Sequence, residues 1–263
     1  MDLGLKGKVA LVAAASRGLG RAVAEEFAAE GASLILCARG AEGLSEACRH
    51  IESTWGVPVV GVAGDVSSAV DVSRVVGAGL ERFGRVDILL TNAGGPPAGT
   101  FDGLSADDWE AATRLVLTSV LELTRAVLPG MRERRWGRIL NVTSIAVKQP
   151  VANLMLSNSL RAAVTGFART LANEVASEGV TVNNLLPGYT RTERVEELAR
   201  TVSQREGVGE AEVRARWESE IPMRRLGEPR EFAALAAFLA SERASYITGA
   251  SITVDGGWVR SLV

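Results

Sequence analysis

The chain has 263 residues, 47% hydrophobic and 23% charged, with a formal net charge of -2. This length suits one well-buried core and is short for two, so a single domain over 1–263 is expected. The near-neutral charge gives no electrostatic reason to expect nucleic acid or an acidic membrane surface as partner, and no apolar run is long enough to span a membrane.

From the amino terminus, short aliphatic runs alternate with longer helical patterns. Strands are expected at Val9–Ala14, Ser33–Ala38, Val57–Ala63, Ile88–Thr91, Arg138–Val142, Thr181–Leu186 and Ile252–Val254. Helices are expected near Leu19–Glu30, Ala41–Thr54, Val70–Phe83, Ala106–Arg134, Ser159–Glu178 and Pro229–Ala240. The strands are apolar on both faces, as strands covered by helices on two sides must be. This alternation predicts an α/β fold, a doubly wound parallel sheet of about seven strands in three α/β/α layers (a Rossmann fold). Right-handed crossovers then place a ligand crevice at the carboxyl ends of the strands. One segment breaks the rhythm. Residues 192–225 are rich in charge and follow a strand's carboxyl end, where they read as a substrate lid or as a solvated helix pair.

Lys6 and Lys8 precede the first apolar run, but no cleavage-site pattern follows, which argues against a signal peptide. Cys37 and Cys48 have neither CxxC spacing nor a histidine cluster. No metal site or disulfide framework is expected, and a cytoplasmic location fits.

The first strand runs into Ala15-Ser16-Arg17-Gly18-Leu19-Gly20 and then a helix. Strand, glycine turn and helix make a cradle for a dinucleotide pyrophosphate, with Ala14, Ser16, Arg17, Gly18, Leu19 and Gly20 lining it. A site preferring NAD usually ends its second strand in a carboxylate. Here the sequence is Cys37-Ala38-Arg39, and Arg17 sits in the turn itself. Two guanidiniums suited to a 2′-phosphate favour NADP(H).

Over nearly its whole length the chain resembles the short-chain dehydrogenase/reductase family, and within it the 3-oxoacyl-acyl-carrier-protein reductase-like branch. The blocks that carry the likeness are Asp65-Val66, Asn92-Ala93-Gly94, Pro187-Gly188 with Thr190 and Thr192, and Gly249 through Gly257. The resemblance implies that Asp65 and Val66 border the adenine, that Asn92, Ala93 and Gly94 support the cofactor, and that Pro187, Gly188 and Thr190 lie near the nicotinamide. It also implies a homo-oligomer, tetramer or dimer, built through the helices at Ala106–Arg134 and Ser159–Glu178 and the last strand. The implied substrate is a small carbonyl or hydroxyl compound or an acyl thioester.

The departures are as specific as the matches. The family's turn begins Thr-Gly where this chain has Ala13-Ala14, which suits the turn if φ stays negative. The family's Tyr-x-x-x-Lys falls on Ser157 and Arg161, a register anchored on Ser144, 13 residues before Ser157, and on Ala162-Ala163-Val164. Its catalytic asparagine aligns with Val116. Ser144 alone keeps its identity. Serine lacks the acidity of a phenol, and arginine stays charged, so it can orient groups but cannot shuttle a proton. Lys148 and Tyr189 are candidate replacement acids, each with a plainer reading as an exposed loop lysine and a packing residue.

Two functions follow as expectations: an NADP(H)-dependent oxidoreductase with a reorganised proton donor, or a catalytically impaired NADP(H)-binding sensor or partner protein. A serine hydrolase is excluded, because the only histidine, His50, belongs to an outer helix away from Ser144. A halohydrin-dehalogenase-like offshoot fits poorly, since such proteins keep the tyrosine and discard the phosphate turn.

Overall fold

A computed structural model describes residues 2–262. Seven strands form one parallel sheet in the order β3-β2-β1-β4-β5-β6-β7. They are β1 (Val9–Ala13), β2 (Ser33–Ala38), β3 (Val59–Ala63), β4 (Ile88–Thr91), β5 (Gly137–Val142), β6 (Val180–Pro187) and β7 (Ser251–Val254). The order reverses between β1 and β4, which are hydrogen-bonded neighbours with Val12 opposite Leu90. That reversal is the topological switch point, where the crossover loops diverge and leave a crevice.

Helices cover both faces. One core layer holds Ala10 and Val12 of β1 against α1 (Gly18–Ala29), α2 (Ala41–Trp55) and α9 (Pro229–Ala240), through Phe27, Ile51 and Phe232. The opposite layer holds Val9, Leu11 and Ala13 against α3 (Ala69–Phe83), α5 (Ser119–Glu133) and α6 (Met155–Val175), through Val76, Leu123 and Leu171. Successive β1 residues thus enter opposite cores, as the two-residue period of a strand requires.

Two expectations of local structure are corrected. The long helix drawn over Ala106–Arg134 is broken: α4 (Ala106–Thr113) passes through a π-helical turn, Arg114–Thr118, into α5. Such a turn inserts one residue into the ladder and is frequent at functional sites. Ser119 Oγ donates to Leu115 O within it at 2.5 Å. The first strand ends at Ala13, because Ala14 adopts φ +52, not the negative φ expected of an alanine. Ends elsewhere shift by a few residues, most at α6, which begins at Met155. The charged segment after β6 forms α7 (Glu193–Glu206) and α8 (Glu210–Glu220), packed on each other through Ala199, Val213 and Trp217.

Candidate active site

The turn after β1 is shaped for close approach. Ala14 takes the left-handed conformation, and a Cβ on Gly20 would stand 2.3 Å from the Ala14 carbonyl oxygen. Only glycine fits at that position. No side chain caps α1 and no acid occupies its first turn, so its leading N–H groups point outward with the positive end of the helix dipole.

Beside this turn lies a crevice of about 310 Å³. It gathers Ala14, Ser16, Arg17, Arg39, Asp65, Val66, Ala93 and Gly94, all expected from the sequence, with Cys37 and Leu115 added by the fold. Arg17 and Arg39 are exposed and make no ion pair among the described residues. Asp65 is fixed through Oδ1, which accepts from Ser67 N and Ser67 Oγ at 2.9 and 2.8 Å. Its own N–H donates to Asp71 Oδ2, which with Arg74 holds the Asp71 carboxyl below the usual range. Burial pushes the Cys37 thiol up to about 11, so this cysteine is a packing group and not a nucleophile.

The remaining expected residues are not all in that crevice. Gly18 borders a second, more open cleft with Thr192 and Glu193. Pro187 ends β6, and Gly188 packs against Asp255, with a built Cβ only 2.7 Å from that residue's Cβ. Thr190 is buried, its hydroxyl donates back to Gly188 O, and its backbone pairs with Gly227. Thr192 is half-buried and caps α7 by accepting from Val195 N. Asn92 follows β4 directly and its side chain makes no hydrogen bond among the described residues.

At the carboxyl end of β5, Arg161 is anchored by three donors. Nη1 donates to Val142 O at 2.8 Å and Thr143 O at 2.9 Å, and Nε donates to Ser157 Oγ at 3.2 Å. Burial, with the like charge of Arg194, pulls this guanidinium down to about 10. Ser144 Oγ accepts from Ala146 N at 3.1 Å in the turn that follows. Both hydroxyls are therefore held as acceptors by a fixed N–H, and each keeps its own hydrogen to donate. Val116 is 5% exposed and packs inside an apolar cluster with Leu156 and Leu160.

The two candidate acids differ. Tyr189 stacks on Trp217 of α8, with centroids 4.6 Å apart, and meets Trp258 edge-on at 6.1 Å. Burial, with Glu220, pushes its phenol up to about 12. The ring is thus an anchor between the α7–α8 pair and the carboxyl-terminal segment. Lys148 is half-buried after the Ile145–Val147 turn and has no ion-pair partner among the described residues. His50 lies on α2, half exposed, 3.9 Å from Glu25 and remote from Ser144.

One residue gains importance from the fold. Arg194, in the first turn of α7, donates to Pro96 O at 3.1 Å across the loop after β4. In the sequence it is one arginine among several in the charged segment 192–225. Among the described residues no helix is long and apolar enough to cross a membrane, and no cluster of histidine, cysteine and acidic residues could hold a metal.

Comparison with known proteins agrees with this geometry. A family model described as enoyl-(acyl carrier protein) reductase matches residues 13–259. A 3-oxoacyl-[acyl-carrier-protein] reductase of Vibrio cholerae is 38% identical, covering 97% of this chain and 98% of that protein. An NADPH-dependent reductase of Bacillus subtilis is 30% identical, covering 97% and 99%. The solved structure of L-sorbose reductase from Gluconobacter frateurii, in complex with NADPH and L-sorbose, superposes with a TM-score of 0.94 at 35% identity over 100% of both chains. The chain belongs to the short-chain dehydrogenase/reductase family, in its 3-oxoacyl-acyl-carrier-protein reductase-like branch.

Proposed function

We propose that this protein is an NADP(H)-dependent carbonyl reductase in which two serine hydroxyls and a buried arginine replace the usual tyrosine and lysine. The cofactor reading is supported by relatives solved with NADPH and by the fit of the residues present. The Ala14–Gly20 cradle and the uncapped α1 suit a diphosphate, and unpaired Arg17 and Arg39 suit a 2′-phosphate. When bound, NADPH would supply the hydride that the carbonyl carbon accepts.

The observation that carries the chemistry is the Arg161–Ser157 hydrogen bond. With its oxygen committed to a cationic donor, Ser157 turns its hydroxyl hydrogen toward the substrate oxygen, and Ser144 does the same from the other side. Two preorganised donors stabilise the developing oxyanion, which is an electrostatic contribution worth about 3 kcal/mol per donor in comparable sites. The final proton is assigned to solvent, with Lys148, half-buried after the Ile145–Val147 turn, as the alternative donor. Such a site lacks the roughly 10²–10⁴-fold supplied by a general acid, so slow turnover is expected.

The same reading makes residues 192–225 a lid, the protein a homo-oligomer (tetramer or dimer) of the cytoplasm, and an acyl thioester or a smaller ketone the substrate. A second reading, an NADP(H)-binding sensor or partner protein, is favoured by Tyr189, whose phenol is raised in pKa and engaged in stacking. NADPH oxidation with an acetoacetyl thioester and a panel of ketones and free oxo acids separates them. It is run on the natural chain beside a Ser157→Tyr, Arg161→Lys double variant. Turnover by the natural chain supports the reductase. Silence there with turnover in the variant sinks it and leaves the binding protein.

A further inference from the structure

Arg161 and Arg194 reach toward the ends of two adjacent strands. Arg161 reaches from α6 to the carbonyls of Val142 and Thr143, where β5 ends. Arg194 reaches from α7 to the carbonyl of Pro96, in the loop that follows β4. Its guanidinium lies so close to Gly95 that a Cβ there would stand 2.9 Å from Nη2 and 3.0 Å from Nε. β4 and β5 are adjacent, with Thr91 opposite Asn141 at their ends. Two guanidiniums on different elements are thus tied to the ends of neighbouring strands.

Their charge is not balanced from within. Arg138, the other deeply placed arginine, has Glu242 at 3.7 Å. Arg161 has no carboxylate, and the charge that acts on it comes from Arg194 and has the same sign. Arg194 has Glu197 at 3.8 Å, an exposed pair of little worth. Nε and Nη1 of Arg161 are spent on Ser157, Val142 and Thr143, while Nη2 has no hydrogen-bond partner among the described residues. Bringing two like charges together costs folding free energy, and a ligand anion would offset that cost.

The cofactor diphosphate is poorly placed to be that anion. Its cradle is on the β1 side of the switch point, where Glu193 Oε2 already lies 3.8 Å from the place of a Gly18 Cβ. Arg161 stands at β5, two strand spacings from β1, or roughly 10 Å. The anion shared by both arginines lies on the substrate side, next to Ser157.

We propose that Arg161 and Arg194 together bind the carboxylate of the substrate, which narrows the reductase reading from thioesters and ketones in general to free oxo acids. The carbonyl of such an acid then falls beside the Ser157 and Ser144 hydroxyls, while its carboxylate draws the α7 turn onto the crevice. This assignment rests on the reductase reading for its substrate class, yet the anion site can be tested apart from turnover.

The test is calorimetric titration of the NADPH-saturated protein with acetoacetate and with phenylpyruvate, each beside its methyl ester. The natural chain, Arg194→Gln and Arg194→Lys are compared, with thermal melts to show that all three fold. The acids are expected to bind roughly ten- to a hundredfold tighter than their esters, with that preference lost in Arg194→Gln and largely kept in Arg194→Lys. NADPH affinity should change less than about twofold in either variant, far below the tenfold that one strong charged contact commands. Equal binding of acid and ester, or no binding of either acid, overturns the proposal. A matching loss of NADPH affinity in Arg194→Gln also overturns it and assigns Arg194 to the diphosphate. Acid binding without NADPH oxidation keeps the anion site and removes the reductase reading.

Discussion

Gly20 and Ala14 are fitted to one another so closely that the Ala14 carbonyl oxygen would lie 2.3 Å from a methyl group on residue 20. Ala14 holds its side of this contact at φ +52, where a side chain costs roughly 1–2 kcal/mol. Ala14→Gly removes that strain but adds glycine's freedom to the unfolded chain, about 0.5–1 kcal/mol in the other direction. The net expectation is a gain in unfolding free energy of up to about 1.5 kcal/mol, read by denaturant titration, with NADPH affinity kept. Gly20→Ala has the opposite outcome, because the backbone must part to admit the methyl: NADPH binding is lost. A lower melting temperature for Ala14→Gly would show that the turn is not strained.

The pH dependence of the site follows from Arg161. Its folded value of about 10 lies below that of a free arginine, because burial and Arg194 both disfavour the charge. The cation is complete at neutral pH and is lost as pH rises through about 10. Oxo-acid binding should therefore be flat across neutral pH and fall above that value. Stability moves the other way. The unfolded chain binds the proton more tightly there, so the cost of the buried charge disappears as pH climbs from the folded toward the unfolded value. Calorimetric titration of acetoacetate against pH checks the first part; an unchanged affinity well above pH 10 excludes Arg161 from the anion site.

Much of this was legible in the sequence, and the rest was not for identifiable reasons. Asp65 came from the family resemblance, whereas the seven strands and the crevice residues Arg17 and Arg39 follow from apolar runs, the glycine turn and the end of the second strand. These are local signals. The π-helical turn at Arg114–Thr118 left no trace, since a one-residue insertion in a ladder does not disturb an apolar pattern already continuous through α4 and α5. Which of Thr190 and Thr192 is buried and which caps α7 depends on the way the chain turns after the strand, which spacing alone does not state. Arg194 was one arginine in a charged run until the fold set it against Gly95.

Restoring the family asparagine at position 116 should harm this chain. Val116 is buried among Leu156, Leu160 and Val164. An amide placed there loses its water without gaining partners, which costs roughly 1–3 kcal/mol. Val116→Asn is expected to lower stability by about that amount in a denaturant titration and to leave turnover no higher. A Val116→Asn protein as stable as the natural one would mean that water already reaches the π-helical turn.

Tyr189 and Trp217 give the last prediction, which separates an acid from an anchor. The two rings stack at 4.6 Å with planes 15° apart, and Trp258 closes the edge. An anchor acts through its ring, so Tyr189→Phe should keep turnover within about twofold while removing the phenol, a much smaller effect than the 10²–10⁴-fold loss of a general acid. Trp217→Ala removes the larger face of the stack and leaves a cavity beneath α7, at a cost of about 3–5 kcal/mol. Because α7 and α8 pack mainly on one another, that cost should appear as local opening and not as global unfolding. Limited proteolysis checks this: Trp217→Ala should be cut within 193–220 while the sheet stays intact. If Tyr189→Phe instead abolished turnover with residues 193–220 still resistant to protease, the phenol would be the proton donor after all, and the solvent-proton reading of the Ser157 site would fall.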